Sequence, residues 1–292
     1  MQAAAEKARI LVEALPYIRA FYGKTVVIKY GGNAMTSETL KDEVVQDLAL
    51  MKYVGIRPII VHGGGPEITA LLKRLGKETT FIEGLRVTDA ETVTTAEMVL
   101  AGKINADIVT RLCLQGASAV GLSGKDANLL RARKKQVFVQ GKAVDIGFVG
   151  EVEAVNTQIL ATLLQSDYLP VVAPIGADGA GQSYNINADY VAAALAGALQ
   201  AEKLILLTDV EGIYKDYADK TSFLPTITVR EAQQYLKDGT LQGGMLPKVE
   251  ACLRALSQGA KKAHIIDGRQ EHSLILELFT SQGIGTQIIP EA

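Results

Sequence analysis

Short apolar runs rich in valine, isoleucine and leucine alternate along the chain with longer stretches in which apolar residues recur every three or four positions. The first pattern is typical of buried strands, and the second is typical of amphipathic helices. The predicted strands are residues 25–30, 57–62, 119–122, 169–173, 203–208, 263–268 and 286–289. The predicted helices are residues 38–53, 66–75, 188–199, 229–237, 246–258 and 273–280. This alternation favours an α/β fold with a largely parallel sheet that is covered by helices.

The segment before the first strand, residues 1–22, carries an apolar face of its own. The residues at helical spacing on that face are Ile10, Leu11, Ala14, Leu15, Ile18, Phe21 and Tyr22. Pro16 predicts a kink, because proline removes one backbone hydrogen bond and crowds the preceding turn. The face packs either on the chain's own core or on another subunit. After this helix we predict two intimately packed lobes, residues 23–176 and 177–292.

The composition narrows the kinds of partner. The chain has 292 residues, 48% of them hydrophobic, which is enough for a large core. Its 30 basic and 32 acidic residues leave a formal net charge of −2, which argues against a nucleic-acid or membrane-surface binder. Charged residues interrupt every long apolar stretch, and Glu6 and Glu13 stand where a signal peptide would be apolar. We therefore expect a cytoplasmic protein that binds neither nucleic acid nor a membrane.

Cysteine and histidine give no sign of a metal site. Cys113 and Cys252 lie in helical-looking stretches without paired spacing, and we predict two buried, reduced thiols. The histidines, His62, His264 and His272, are too scattered for a zinc site. We expect His62 to be structural, directed into the sheet or into the glycine turn that follows it.

Glycine-rich turns are the first sign of chemistry. Gly31-Gly32 and Gly63-Gly64-Gly65 follow predicted strands, and Gly243-Gly244 precedes a helix. Glycine lets the backbone approach a ligand and direct N–H groups at it, and a helix N-terminus adds partial positive charge. Three such turns in one α/β chain indicate a site for phosphate or carboxylate.

The common nucleotide motifs are absent from the sequence. Gly23-Lys24-Thr25 looks like the end of a P-loop, but Ile18 occupies the position of the first glycine and the segment precedes its strand. Neither the GxGxxG pattern nor the protein-kinase signature set is present. A phosphate-binding fold of another kind is therefore indicated.

Six motifs in order resemble the amino-acid kinase family. They are residues 27–32, 61–66, 84–88, 185–189, 206–213 and 243–248, and the resemblance runs from about residue 24 to 289. It implies a three-layer αβα sandwich with a central, mostly parallel open sheet. The combination is similar to the members that phosphorylate N-acetyl-L-glutamate with ATP in arginine biosynthesis. Residues 23–176 would then bind the acylated amino acid, and residues 177–292 would bind ATP.

The resemblance implies three catalytic residues. The transferred phosphoryl group is rich in negative charge in the transition state, so catalysis depends on positioning and on cations. Lys29 at a strand end and Lys248 in the first turn of a helix match the family's transition-state lysines, and Asp189 orients them. Because Asp189 follows Asn185 by four residues, a helical turn there would place both on one face.

The remaining site residues divide between the two substrates. Gly64 and Gly65 offer N–H groups to the attacking carboxylate, and Arg86 can hold the other carboxylate in a bidentate fork. By resemblance Asn185 also contacts the acylated amino acid. For ATP, the resemblance points to Gly32, Asp209, Gly212 and Gly244. Magnesium is implied, held mostly by the ATP phosphates and water, with no metal ligand assigned to the protein. Surface pairing of Arg86 and helix capping by Asn185 are the structural alternatives.

A further implication concerns regulation. Family members with an extra N-terminal helix tend to be hexamers, trimers of dimers, that the end product L-arginine inhibits. Residues 1–22 match that helix, and residues 264–286 resemble the tail of the arginine-sensitive type. Glu277 is the carboxylate that we assign to the guanidinium of arginine, with Gly285 beside it. Some photosynthetic relatives are also controlled by a PII protein, but no residue here singles that out.

Two alternatives stay open at this point. Another member of the family would phosphorylate glutamate, aspartate, carbamate or UMP, whereas a non-catalytic binding protein would keep the fold alone. The polar stretch 131–145 matches no pattern of the family, and we interpret it as a segment that covers the substrate.

Overall fold

The computed structural model describes residues 2–35, 37–281 and 283–291. The α-helices are α1 (Gln2–Glu13), α2 (Leu15–Phe21), α3 (Glu38–Tyr53), α4 (Gly65–Arg74), α5 (Ala90–Glu97), α6 (Asn105–Leu114), α7 (Gln158–Gln165), α8 (Ala188–Ala198), α9 (Val229–Lys237), α10 (Met245–Ser257) and α11 (Ser273–Phe279). A π-helical segment, Met98–Ile104, joins α5 to α6, and a short 3₁₀ turn, Gly32–Met35, follows the first strand.

The strands are β1 (Thr25–Tyr30), β2 (Arg57–His62), β3 (Phe81–Ile82), β4 (Leu85–Arg86), β5 (Ala119–Ser123), β6 (Leu130–Lys134), β7 (Val137–Val139), β8 (Lys142–Val144), β9 (Val149–Val155), β10 (Leu169–Ala173), β11 (Ile175–Ala177), β12 (Ser183–Ile186), β13 (Lys203–Thr208), β14 (Ile213–Tyr214), β15 (Phe223–Leu224), β16 (Thr226–Thr228), β17 (Ala263–Asp267) and β18 (Thr286–Ile289). Short strands form three further antiparallel pairs, β3–β4, β7–β8 and β14–β15.

The central sheet is open and almost entirely parallel. Its strand order is β16-β18-β17-β13-β1-β2-β10-β5, and the antiparallel pair is β17 with β18. Strands that end by residue 173 therefore lie on one side of the β1–β13 junction, and strands that begin at residue 203 or later lie on the other. Because the carboxyl ends of parallel strands share one edge, the turns after β1, β2 and β13 meet there. The division into lobes near residue 177 stays a prediction.

Side chains of β1 alternate between two hydrophobic cores, as the pleat of a strand requires. Val27 joins the core formed with α8 and α10, whereas Val26 and Ile28 join the core formed with α3, α6 and α11. The sheet is thus covered by helices on both faces, which confirms the predicted three-layer αβα architecture. Lys29 has the parity of Val27 and so faces the α8 side, whereas His62 has the parity of Ile60 and faces the α6 side.

A smaller sheet stands beside the main one. Strands β11, β12, β9 and β6 pair in a closed ring, and two of them, β6 and β9, lie largely between residues 130 and 155. The hairpin β7–β8 packs through Val137 and Val144 against Leu85 and Val87. The unassigned stretch 131–145 therefore contacts the hairpin β3–β4, but covering of the substrate stays an interpretation.

The strongly patterned elements match their predicted bounds to within one residue. The helical segment 90–114 and α7 were not among the predictions. The predicted kink is confirmed, because α1 ends at Glu13 and α2 starts at Leu15 with Pro16 in its first turn. One cysteine prediction was wrong: Cys252 is buried, but Cys113 is exposed on the solvent side of α6. None of the described helices is long and apolar enough to cross a membrane.

Candidate active site

The turn after β2 forms one wall of a small cavity. Gly63, Gly64 and Gly65 line it, and α4 begins at Gly65. The cavity has a volume of about 190 Å³ and continues into a neighbouring cavity that shares the same three glycines. The first N–H groups of a helix lack internal acceptors, so this turn presents donors to an anion.

Arg86 closes the same cavity from the other side. It lies at the end of β4 and is 7% exposed, with its guanidinium 4.8 Å from the centre of the Phe81 ring. Its Nη2 donates to Gly65 O at 2.9 Å and to Thr69 Oγ1 at 2.8 Å. Among the described residues, Nη1 is buried without a hydrogen-bond partner. Burial lowers the pKa of Arg86. An anion in the cavity would give Nη1 a hydrogen-bond acceptor and the guanidinium a counter-charge.

The segment after β12 supplies side chains to both cavities. Asn185 lines the Arg86 cavity from within β12, whereas Asp189 lies in the first turn of α8 and lines the neighbouring cavity. The backbone between them is not helical throughout, because β12 continues to Ile186 and α8 begins at Ala188. The helix cap here is Asn187, whose side chain accepts from the Asp189 N–H at 2.8 Å.

Lys29 and Asp189 form the charged centre of the neighbouring cavity. Lys29 Nζ lies 3.1 Å from Asp189 Oδ1, and the two side chains are only 13% and 7% exposed. Gly32 lines this cavity of about 180 Å³ with a left-handed backbone, at φ +69°. The structure thus joins the first predicted lysine, the orienting carboxylate and two of the glycine turns in one small space.

A much larger cavity follows β13. It has a volume of about 790 Å³, in the range typical of sites for drug-sized ligands. Three residues predicted to bind ATP line it: Asp209, Gly212 and Gly244. Tyr214 and Tyr217 also line it, and their rings meet edge to face at 5.7 Å. Sequence analysis did not single out these tyrosines.

Lys248 lies in this larger cavity and not beside Lys29. It occupies the first turn of α10, and its Nζ donates back to Gly244 O at 3.2 Å. The predicted convergence of the two lysines on one phosphoryl group therefore stays a prediction. Gly32, predicted to bind ATP, lines the Lys29 cavity instead of this one.

Glu277 lies in a buried charged cluster away from these cavities. His264 Nδ1 lies 2.6 Å from Glu277 Oε1, Lys203 Nζ lies 3.5 Å from the same oxygen, and the Ile284 N–H donates to Oε2 at 3.1 Å. Burial opposes ionisation of Glu277, but His264 and Lys203 hold its pKa below the usual value. A Cβ on Gly285 would meet the Ile265 carbonyl, so Gly285 packs on β17, whereas a Cβ on Gly283 would lie 2.9 Å from Glu277 Oε2.

Lys203 and His264 were missed by sequence reasoning. The signal available for Lys203 was a lysine at the head of an otherwise apolar strand, which marks a buried charge with a partner. Its Nζ also lies 5.1 Å from the centre of the Phe21 ring in α2, so the N-terminal helices touch this cluster. Burial lowers the pKa of His264, and a neutral ring donates from Nδ1 to the carboxylate.

No group of three or more His, Cys, Asp or Glu side chains arranged to hold a metal ion is found within residues 2–35, 37–281 and 283–291.

Comparison with known proteins places the chain among relatives of similar length. An acetylglutamate kinase of Symbiobacterium thermophilum is 57% identical over 290 residues, which covers 99% of each chain. A solved N-acetylglutamate synthase of Neisseria gonorrhoeae, complexed with coenzyme A and N-acetyl-glutamate, is 29% identical with a TM-score of 0.85. The same synthase complexed with coenzyme A and L-arginine is 26% identical with a TM-score of 0.81. The matches cover 98% of this chain but only 64% and 66% of the synthase chains.

The model of the amino acid kinase family matches residues 24–267, which include the lining of all three cavities and both candidate lysines. The match begins just before β1 and ends with β17, so it contains every strand of the central sheet except β18. The chain belongs to the amino acid kinase family.

Proposed function

We propose that the chain transfers the γ-phosphoryl group of ATP to the side-chain carboxylate of N-acetyl-L-glutamate, a step of arginine biosynthesis. The observation that carries this proposal is the Arg86 cavity, where a buried guanidinium with an unused Nη1 faces a glycine turn among the described residues. A substrate with two carboxylates would satisfy both features. The name of the Symbiobacterium relative supports the choice of acceptor.

In the proposed mechanism Arg86 binds the α-carboxylate and the Gly64–Gly65 turn binds the γ-carboxylate. The γ-carboxylate is ionised at neutral pH, so it attacks phosphorus without a general base. One oxygen–phosphorus bond to the carboxylate forms while the bond from the γ-phosphorus to the ADP oxygen breaks. Lys29, held by Asp189, stabilises the charge on the transferring group, since fixed cations act most strongly in a site closed to water.

The larger cavity is the proposed ATP site. Its volume and its lining by Asp209, Gly212 and Gly244 fit a nucleotide, and Lys248 stands at the end of it nearest the start of α10. Magnesium carried by the phosphates would neutralise part of their charge. In our proposal Lys248 leaves its bond to Gly244 O and contacts the phosphates when ATP binds.

The test is to trap the product. Purified protein, Mg-ATP, N-acetyl-L-glutamate and hydroxylamine should yield a hydroxamate, because hydroxylamine attacks an acyl phosphate. Glutamate, aspartate and carbamate serve as parallel acceptors, with UMP followed by ADP release. ADP release with one of the other acceptors but not with N-acetyl-L-glutamate would refute the choice of substrate. No ADP release with any acceptor would favour a binding protein without activity.

We also propose that L-arginine inhibits the enzyme at the Glu277 cluster. Glu277 is a buried carboxylate beside a glycine-containing loop, and the arginine-bound synthase structure supports a ligand of this kind on the fold. The guanidinium would replace the contacts of Lys203 and His264 with Glu277. Hydroxamate formation should fall in millimolar arginine and stay unchanged in equal lysine. Undiminished activity in arginine would refute this proposal.

The N-terminal helices support a proposed hexamer, a trimer of dimers. Their exposed apolar residues are Ile10, Leu11, Val12 and Leu15, at 57%, 72%, 68% and 51% exposure. Such a face on a helix is typical of a contact with another subunit. The mass of the full chain in solution should be six times that of one subunit, and removal of residues 1–22 should reduce it to that of a dimer.

A further inference from the structure

His62 is a buried histidine beside the glycine turn that the proposed mechanism does not use. It ends β2, is fully buried and precedes Gly63 directly. Its Nδ1 lies 2.9 Å from Gly63 O, and its Nε2 lies 3.2 Å from Asn105 Nδ2. Both ring nitrogens therefore have partners, one in the acceptor turn and one in α6.

The partners determine which ring nitrogen carries the proton. Asn105 Nδ2 also donates to Val171 O at 2.9 Å, so its two hydrogens have two acceptors, Val171 O and His62 Nε2. Nε2 thus accepts, and Nδ1 must carry the proton that is donated to Gly63 O. Burial lowers the pKa of His62 to about 4, which keeps the ring neutral in this tautomer near neutral pH.

The bond to Gly63 O fixes the direction of the next donor. The Gly63–Gly64 peptide is trans, so its N–H points opposite to its C=O. With the carbonyl held toward the His62 ring, the Gly64 N–H points away from it, and Gly64 lines both small cavities. The Gly64 N–H makes no hydrogen bond to the described part of the chain. It is therefore a free donor with a fixed direction.

Packing against neighbouring residues also holds Asn105 and the Gly64 turn in place. A Cβ on Gly121 would lie 1.9 Å from Asn105 Oδ1, so the absence of a side chain at Gly121 makes room for the amide. Leu100 and Ile104, on the π-helical segment before α6, press on Gly64 itself, where a Cβ would lie 2.7 Å and 2.3 Å from them. Displacement of Asn105 would therefore move the segment that packs on the turn.

We propose that His62 and Asn105 are a positioning pair that directs the Gly64 N–H at the reacting carboxylate of the acceptor. This inference rests on the proposed function and deepens it. The pair touches neither substrate. It acts through the Gly63–Gly64 peptide, whose displacement by about 1 Å is enough to slow an enzyme by about 10²-fold.

Kinetics of two matched variants test the pair. His62→Leu removes the donor at similar size, whereas His62→Asn keeps a side-chain N–H near the position of Nδ1. We expect kcat/KM for N-acetyl-L-glutamate to fall about 10²-fold in His62→Leu and to recover most of that loss in His62→Asn. The KM for ATP should change little in either variant. A role in stability alone would lower Tm and leave kcat and KM at 25 °C unchanged in both folded variants, which would overturn the inference.

A second measurement needs no variant that folds poorly. Nitrogen-15 NMR of the wild-type histidine rings, assigned with the His62→Asn spectrum or by elimination against His264 and His272, reports which nitrogen of His62 is protonated. Protonation on Nδ1 between about pH 6 and 8 is the expected result, and a proton on Nε2 would overturn the inference. If the wild-type chain does not turn over N-acetyl-L-glutamate, the proposed function fails before any variant is compared. An active wild type with an equally active His62→Leu would refute the positioning pair alone.

Discussion

The two sides of the proposed site, the acceptor side and the nucleotide side, differ in how far the protein's own atoms hold them in place. On the acceptor side, Lys29 is paired with a buried carboxylate, and Arg86 is anchored by two hydrogen bonds. On the nucleotide side, Lys248 is half-buried and donates to the backbone of its own helix. The residues around it come mostly from irregular segments, 209–217 and 239–244.

This difference indicates whether the fold itself or a bound ligand positions the residues of each side. The acceptor side is built into the sheet and its flanking helices, so it is preorganised before a ligand arrives. The nucleotide side has a larger cavity and a lysine that must change partner to reach a phosphate. We infer that ATP binding itself orders that half. The comparison predicts that equivalent mutations on the two sides will lower kcat by similar factors. Mutations on the acceptor side will lower the free energy of unfolding more than those on the nucleotide side.

The largest contrast is expected between the two lysines. Both Lys29→Ala and Lys248→Ala should lower kcat by about 10²–10³-fold, because each removes a cation from the transition state. Lys29→Ala should also destabilise the fold by about 3 kcal/mol, since it leaves Asp189 charged, buried and unpaired. Lys248→Ala should change the free energy of unfolding by less than about 1 kcal/mol. Hydroxamate kinetics and urea unfolding measure the two effects.

A matched double variant separates the two roles of Lys29. Lys29→Ala with Asp189→Asn removes the unpaired charge, so it should recover much of the lost stability while activity stays low. Equal destabilisation by Lys29→Ala and Lys248→Ala would show that the two sides do not differ in the way described here. Full activity of either single variant would remove that lysine from the mechanism.

The parts of this comparison that the sequence predicts are those with a local signal. The strands β1, β2 and β13 have mostly apolar runs, and glycine turns follow β1 and β2 directly, so the sheet and the places of these turns at its edge were predicted correctly, whereas ligand binding there stays a prediction. The helical segment 90–114 was missed. It begins with Thr92, Val93, Thr94 and Thr95, whose branched side chains weaken the helical signal.

Contacts between distant residues left no such signal. Asn105 is 43 residues from His62, and nothing in the pattern around it marks an amide that reaches a ring in β2. The Asn185–Asp189 spacing left a helical turn open, although Asn187 followed by Ala188 and Asp189 is itself a sequence signature of a helix cap. Four-residue spacing indicates a shared face only where the backbone is helical throughout, and here a strand ends between the two residues.

The next largest expected effect is a loss of folding stability at acidic pH. Burial lowers the pKa of His62 to about 4, so below about pH 6.5 the unfolded chain binds a proton there that the folded chain does not. The contribution of His62 to stability is therefore complete above pH 6.5 and falls by about 3 kcal/mol as the pH drops to 4. The free-energy difference between wild type and His62→Asn, followed by urea unfolding at each pH, isolates this residue from the carboxylates that titrate nearby.

That difference should change with pH in one direction only. Wild type should lose stability relative to His62→Asn as the pH falls, because only wild type carries the ring that must stay neutral. A difference that is constant from about pH 7.5 to 4.5 would mean that the ring accepts a proton in the fold, and the acceptor side would then be less rigid than the comparison requires.

The smallest effect distinguishes the glycine turns themselves. In Gly64→Ala the new methyl would lie 2.3 Å from Ile104 Cδ1 and 2.7 Å from Leu100 Cδ2, so we expect a loss of about 1–3 kcal/mol of stability from overpacking. In Gly244→Ala no atom of the described residues lies within 4 Å of the new methyl, and the backbone is already helical at φ −66°. Alanine there should stabilise the fold by about 0.4–1 kcal/mol, since it restricts the unfolded chain.

These two substitutions are matched in chemistry, and both are made in the absence of substrate, so urea unfolding compares the turns as the protein holds them. The result is the sign of the change in the free energy of unfolding. We expect a decrease in Gly64→Ala and an increase in Gly244→Ala. If Gly64→Ala were neutral, Leu100 and Ile104 would be free to move aside, and the acceptor turn would owe its position to bound substrate as the nucleotide side does. If Gly244→Ala were destabilising, the start of α10 would be held by packing, and Lys248 would stand on a framework as fixed as that of Lys29.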